Sequence, residues 1–285
     1  MCNAAIKAII ITASLLVLIF SPSCSTDNGE KEASALVQEA AHALEVHSYK
    51  QAKLLVDSIN HAYPRAIEAR RQAMHIGARA VEGITLFNLE LSDQQLAILS
   101  ARADSLKSLV KYVSNPIEGY YVAVGANPDD ILNVSGIQAR LSPEGDFYLI
   151  STLKGKGIKS TSVTVTADGD TASTSAVGFD GERNDRSSGQ ERITFIAAEC
   201  DSVGRLIYYH PTSKVTLTFN GEGGATSSLT LPQKTVRQIA TLYDYALTMR
   251  RARQASLDKE KYTRALDTSR SQAARTYIEE DKDEE

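Results

Sequence analysis

The sequence predicts an α+β protein: an N-terminal helical hairpin and two long, antiparallel, coiled-coil-like helices enclosing an antiparallel β-sandwich or barrel-like domain. Three observations predict it. Residues 34–114 and 233–278 carry apolar side chains at helical spacing. Residues 115–232 switch to short alternating runs bounded by Gly, Pro, Asn or Asp. The helical stretches Pro64–Val113 and Gln233–Ile278 are nearly equal in length. At 1.5 Å per residue each would reach roughly 70 Å if unbroken, as two arms on either side of an insert require.

The chain begins with a segment of another kind. Lys7 precedes thirteen mostly apolar residues, Ala8 to Phe20, followed by SPSC. A positive start and an apolar run of this length read as an export leader over residues 1–23, and a membrane-spanning helix needs about 20 apolar residues. The stretch looks like the signal of a bacterial lipoprotein, which implies that Cys24 becomes the lipidated first residue of the mature chain. Cys2 then leaves with the leader, and Cys200 has no disulfide partner. After the apolar run ITFIAA, Cys200 reads as a small buried hydrophobe.

Residues 24–33 read as a polar tether. Leu36, Val37, Ala40, Ala43 and Leu44 then share a helical face, and Tyr49, Ala52, Leu55, Val56 and Ile59 continue it to Pro64. The stretch ALEVHSYKQAKLLVDSINHAYP resembles one tetratricopeptide-type hairpin, which must dock on the next helix because a lone repeat cannot bury its own face. Pro64 can open that helix, Gly77 and Gly83 weaken it, and Ser92 with Gln95 forms a capping-box pattern for a restart. Leu96, Leu99, Ala103, Leu106, Val110 and Val113 alternate spacings of three and four, a coiled-coil seam. After Pro232, Val236, Ile239, Tyr243, Ala246 and Leu257 match it. The polar distal part of this last helix should be solvated or paired with acids on the facing helix. The tail, residues 279–285, is an acidic charge run expected to be disordered.

Between the arms, EGYYVAVG, GIQARL, DFYLISTL, STSVTVTA, TASTSAV, ERITFIAA, GRLIYYH, KVTLTFN and SSLTL read as strands, with SPEGD, ADGD and NGEGG as hairpin turns. The composition, 42% apolar and 23% charged over 285 residues with a net charge of −4, is that of a folded protein. It gives no electrostatic reason to bind nucleic acid.

No familiar catalytic pattern is present. The histidines (His42, His47, His61, His75, His210) lack HExxH spacing, no GxSxG or phosphate loop occurs, and GKGIK is a cationic turn. These readings predict no metal, no cofactor and no catalytic residue. Recognition candidates remain. The long loop GFDGERNDRSSGQ, Gly178 to Gln190, carries Asp180, Glu182, Arg183, Asp185 and Arg186, and long loops at the tip of a β domain often contact partners. In each of the pairs Tyr120-Tyr121 and Tyr208-Tyr209, one ring should face outward if the segment is a strand. Tyr121 and Tyr209 are therefore candidate contacts for protein or sugar.

The segments SPSCS, STDNGEKE, LSPEGDFYLIST and ITFIAAECDSVGRLIYY together resemble outer-membrane lipoproteins of the Bacteroidales type. In that group acidic residues soon after the lipidated cysteine mark display at the cell surface, and Asp27, Glu30 and Glu32 stand in that place. The resemblance implies an exported protein held at the outer membrane by its lipid, and it carries no catalytic residue across. The expected function is non-catalytic presentation of the β domain to a protein partner in the envelope, with self-association through the helical stalk. The alternative is a surface glycan-binding module built on the β domain.

Overall fold

A computed structural model describes residues 26–116 and 118–277. The expected signal peptide, Cys24 and the acidic tail lie outside the described residues. In chain order, α1 (Thr26–Glu45), α2 (Tyr49–Ala62) and α3 (Ile67–Lys107) precede β1 (Val110–Val113) and β2 (Tyr120–Ala123). One turn of helix, α4 (Asp130–Asn133), leads into β3 (Gly136–Leu141), β4 (Phe147–Lys154), β5 (Ser160–Ala167) and β6 (Asp170–Ser173). Then come β7 (Asn184–Asp185), β8 (Gln190–Ile196), α5 (Asp201–Tyr209), β9 (Val215–Gly221), β10 (Thr226–Thr230) and α6 (Gln233–Arg275). The chain is mixed α+β. Its two sheets are antiparallel, ordered β1-β2-β3-β4-β8-β7 and β10-β9-β5-β6, and neither closes into a barrel. No helix among the described residues is long and apolar enough to cross a membrane.

Two compact units divide the chain: residues up to Ile84 with those from Thr268 on, and Thr85–Asp267. In the first, α1 and α2 form a hairpin whose Ala33, Val37, Ala40, Val56 and Ile59 bury with Ala69 and Ala73 of α3. The small residues Ala43, Ala52 and Ala80 close a second contact. A Cβ at Gly83 would strike the Tyr49 ring of α2, and one at Gly77 would press tightly on the Val56 methyl. The two glycines are thus sites of close approach. The segment expected to be a tether is helical from Thr26. Acids near a helix N-terminus favour the helix, and Glu30 does more: its carboxylate accepts the Ala69 N–H at 2.7 Å, satisfying a free donor in the first turn of α3. Across from α3, Arg270 reaches Glu82, and the Tyr277 ring meets His75 edge-on at 5.6 Å.

The second unit is built on one core. Leu149 and Leu153 of β4, Phe195 of β8, Val165 of β5 and Phe219 of β9 bury with Val203 and Ile207 of α5 and with Ile239, Leu242 and Tyr243 of α6. Within this unit α3 and α6 run antiparallel, joined by Arg102–Asp244 at 2.8 Å and Lys259–Asp93. Leu96, Leu99, Ala103 and Leu106 are half-buried along that side.

Several sequence expectations are corrected. Tyr63–Ala66 form a turn, so α3 opens at Ile67 rather than Pro64. The helix does not restart at Ser92, whose hydroxyl donates to the Asn88 carbonyl at 2.8 Å inside a continuous helix. It ends at Lys107, and Val110 and Val113 belong to β1, where β-branched residues pair with β2. Leu257 is exposed, outside any seam. GRLIYYH is the helix α5, not a strand. Val203, Leu206 and Ile207 fall at helical spacing and are buried, and a Cβ on Gly204 would strike the Tyr243 ring. The expected turn ADGD is present as a two-residue connection in which Asp168 and Gly169 both have positive φ, 50° and 94°, matching the strand twist.

Candidate functional site

The loop from Gly178 to Gln190 is folded back on the second unit. Its anchor is Asn184, fully buried, whose amide donates to the carbonyls of Val177 at 2.8 Å and Ser160 at 3.1 Å. Asp180 accepts the N–H groups of Asn184 and Glu182, both at 2.9 Å. Those two donors hold its carboxyl below the usual carboxylate range. Arg183 pairs with Glu199 at 2.5 Å, which lowers the Glu199 carboxyl and raises the guanidinium. Arg186 lies over the Phe179 ring, 4.9 Å from its centroid, and 3.6 Å from Glu222. Asp185 accepts from the Ser187 hydroxyl at 2.6 Å, and Glu182 is exposed. Beneath the loop, Glu191 is buried and accepts from Lys159 N at 2.6 Å and from Ser160 N and Oγ, both at 2.7 Å. This network joins β7, through Asn184, and the start of β8, through Glu191, to the start of β5.

The tyrosines stand apart from it. Tyr121 sits in β2, half-buried, with its ring edge-on to Tyr112 at 5.2 Å. Tyr209 is 68% exposed, but at the end of α5, beside Tyr208, rather than on a strand. Among the described residues no hydrogen bond, ion pair or ring contact joins either tyrosine to the loop.

Cys200 is fully buried, and burial pushes its thiol up to about 12, far from the range of a nucleophilic thiolate. His75 faces Thr276 and Tyr277. His210 directly follows α5, and its two ring nitrogens meet Asp168 at 3.3 Å and Asp170 at 3.1 Å. The Asp168 carboxyl, bonded first by the Ser213 hydroxyl and then by His210, is held below its ordinary value.

Two features escaped the sequence reading. A cleft of about 420 Å³ opens between β3, α4 and the first turns of α6, floored by Ile131, Ile137 and Ile239 and edged by Lys234 and Gln238. Its signal, Pro232 followed by polar first-turn residues, is common to many helix starts. The second is the outward face of the four-stranded sheet, written in the sequence as alternating Ser/Thr in STSVTVTA, KVTLTFN and TSSLT. No protein-family model, curated protein or solved structure matches the chain.

Proposed function

We propose that this chain is a non-catalytic envelope lipoprotein, anchored in the outer membrane through Cys24, with the region built on residues 85–267 engaging a protein partner. The observation that carries the reading is an uncompensated apolar row on α3. Phe87, Leu91 and Ile98 are 58%, 42% and 69% exposed, and their spacing of four and seven residues puts them on one helical face. That face points away from Leu96, Leu99 and Ala103. Exposed apolar residues aligned on one face of a long helix suit a partner helix or a second copy of the chain. The coiled-coil-like pairing of α3 with α6 and a sandwich arrangement of the two sheets belong to the same proposal, as the frame that holds the row in place.

The test is site-specific photo-crosslinking in intact cells from position 91 or 98. A discrete adduct with one polypeptide, lost in Phe87→Glu, is the expected result. Crosslinking no stronger than from an exposed control position such as Glu182 would refute the partner.

A further inference from the structure

The outward face of the sheet β10-β9-β5-β6 carries only Ser, Thr and Asn. One row crosses all four strands as Ser173, Thr164, Thr218 and Ser228. The next row is Thr171, Thr166, Thr216 and Thr230. Beside them lie Ser162, Asn220 and Thr226. Directly opposed residues of antiparallel strands point to the same side. The other side of the sheet carries Val163, Val165, Leu217 and Phe219, all fully buried. Rows repeat about every 4.8 Å across strands and roughly every 6.8 Å along them.

Strand propensity accounts for threonine at any one of these positions. It does not account for the complete absence of Lys, Arg, Asp and Glu from such a face in a chain that is 23% charged. The edge strand β10 also lacks the lysine or proline that usually guards an edge.

The hydroxyls are already ordered among themselves. Thr164 bonds Ser173 at 2.8 Å, Thr218 bonds Ser228 at 2.8 Å and Thr166 bonds Thr171 at 3.3 Å. Asn220 donates its amide to Thr164 at 2.9 Å and to Ser162 at 3.2 Å. Each hydroxyl has one proton and two lone pairs, and each internal bond uses one donor and one acceptor, so acceptors stay in excess. What remains is a neutral, fixed, acceptor-rich surface. Its natural complement is a ligand with many O–H donors and no charge. A cationic or anionic ligand would lose hydration over these rows and meet countercharge only at the strand ends, at Asp168 and Asp170 or at Lys159 and Glu222.

We infer that this face binds a neutral polysaccharide, lying across the strands and donating its hydroxyls to the two Ser/Thr rows. The site is separate from Tyr121, Tyr209 and the Gly178–Gln190 loop, and it does not depend on the α3 partner. Affinity electrophoresis of the full chain tests it, in gels containing a galactomannan, a xyloglucan or an α-mannan, with polygalacturonate as the anionic control. At least one neutral polymer should retard the chain. Thr164→Lys with Thr218→Lys should weaken that retardation at least tenfold. Thr164→Val with Thr218→Val, which keeps shape and strand propensity but removes the acceptors, should do the same, while Tyr209→Ala should not. Failure of all three neutral polymers to retard the chain, retardation by polygalacturonate alone, or unchanged binding by the valine pair would overturn the inference. None of these outcomes bears on crosslinking from α3.

Discussion

Gly204 in α5 packs against the Tyr243 ring of α6 and the Phe147 ring of β4 so closely that a Cβ would collide with both. Phe147 and Tyr243 are themselves edge-on at 5.2 Å and buried, so neither can swing away. Gly204→Ala gains about 1 kcal/mol of helix propensity but forces atoms into a filled core at a typical cost of about 1–3 kcal/mol. With two buried rings to displace, the cost wins. Urea unfolding should show a net loss of stability, and a gain would mean that α5 packs loosely enough on α6 to admit a methyl group.

Asn184 should matter more than the charged residues around it. Its amide satisfies two backbone carbonyls in a place closed to water, and each orphaned group costs about 1–3 kcal/mol. Asn184→Ala is expected to lower stability by that order, measured by thermal or chemical denaturation. Glu182→Ala, on the exposed side of the same loop, should leave it nearly unchanged.

Cys200 should be chemically silent. With its thiol buried and pushed up to about 12, a thiol reagent at neutral pH should react only after the chain unfolds. In a Cys24→Ala background, rapid native labelling at Cys200 would contradict the packing of β4, β8 and α5.

Acid should weaken the fold through specific carboxylates. Asp180, Glu199 and Asp168 all have folded pKa values below their ordinary ones. Their contribution is therefore complete above the unfolded range, near pH 4, and is lost as pH falls through the lower folded values. The melting temperature should be flat from pH 7 to about 5 and fall below about 4, less steeply in Asp180→Asn. A melting temperature rising toward pH 3 would mean that the folded chain does not favour these carboxylates in their charged form.

The alternation of STSVTVTA and KVTLTFN was enough to place β5 and β9, because one buried face enforces a period of two. It was not enough to show that these strands pair, since forty-odd residues, including α5, lie between them, and so the hydroxyl face stayed hidden. The segment GRLIYYH misled for a related reason: Ile and Tyr favour strands, and in so short a helix the spacing of Val203, Leu206 and Ile207 was the sole counter-signal. The Gly178–Gln190 loop read as a projecting tip because its charges are plain in the sequence. The amide of Asn184 that ties it down finds its partners only through long-range folding. The hairpin of α1 and α2 was legible because alanines and β-branched residues at helical spacing leave few other ways to bury a face.

Where this chain resides rests on Cys24. Labelled palmitate supplied to cells expressing the full chain, followed by recovery of the protein, measures that most directly. Incorporation by the wild type and its loss in Cys24→Ala is the predicted result. Label retained by Cys24→Ala, or absent from both, would contradict the anchor and the envelope address built on it.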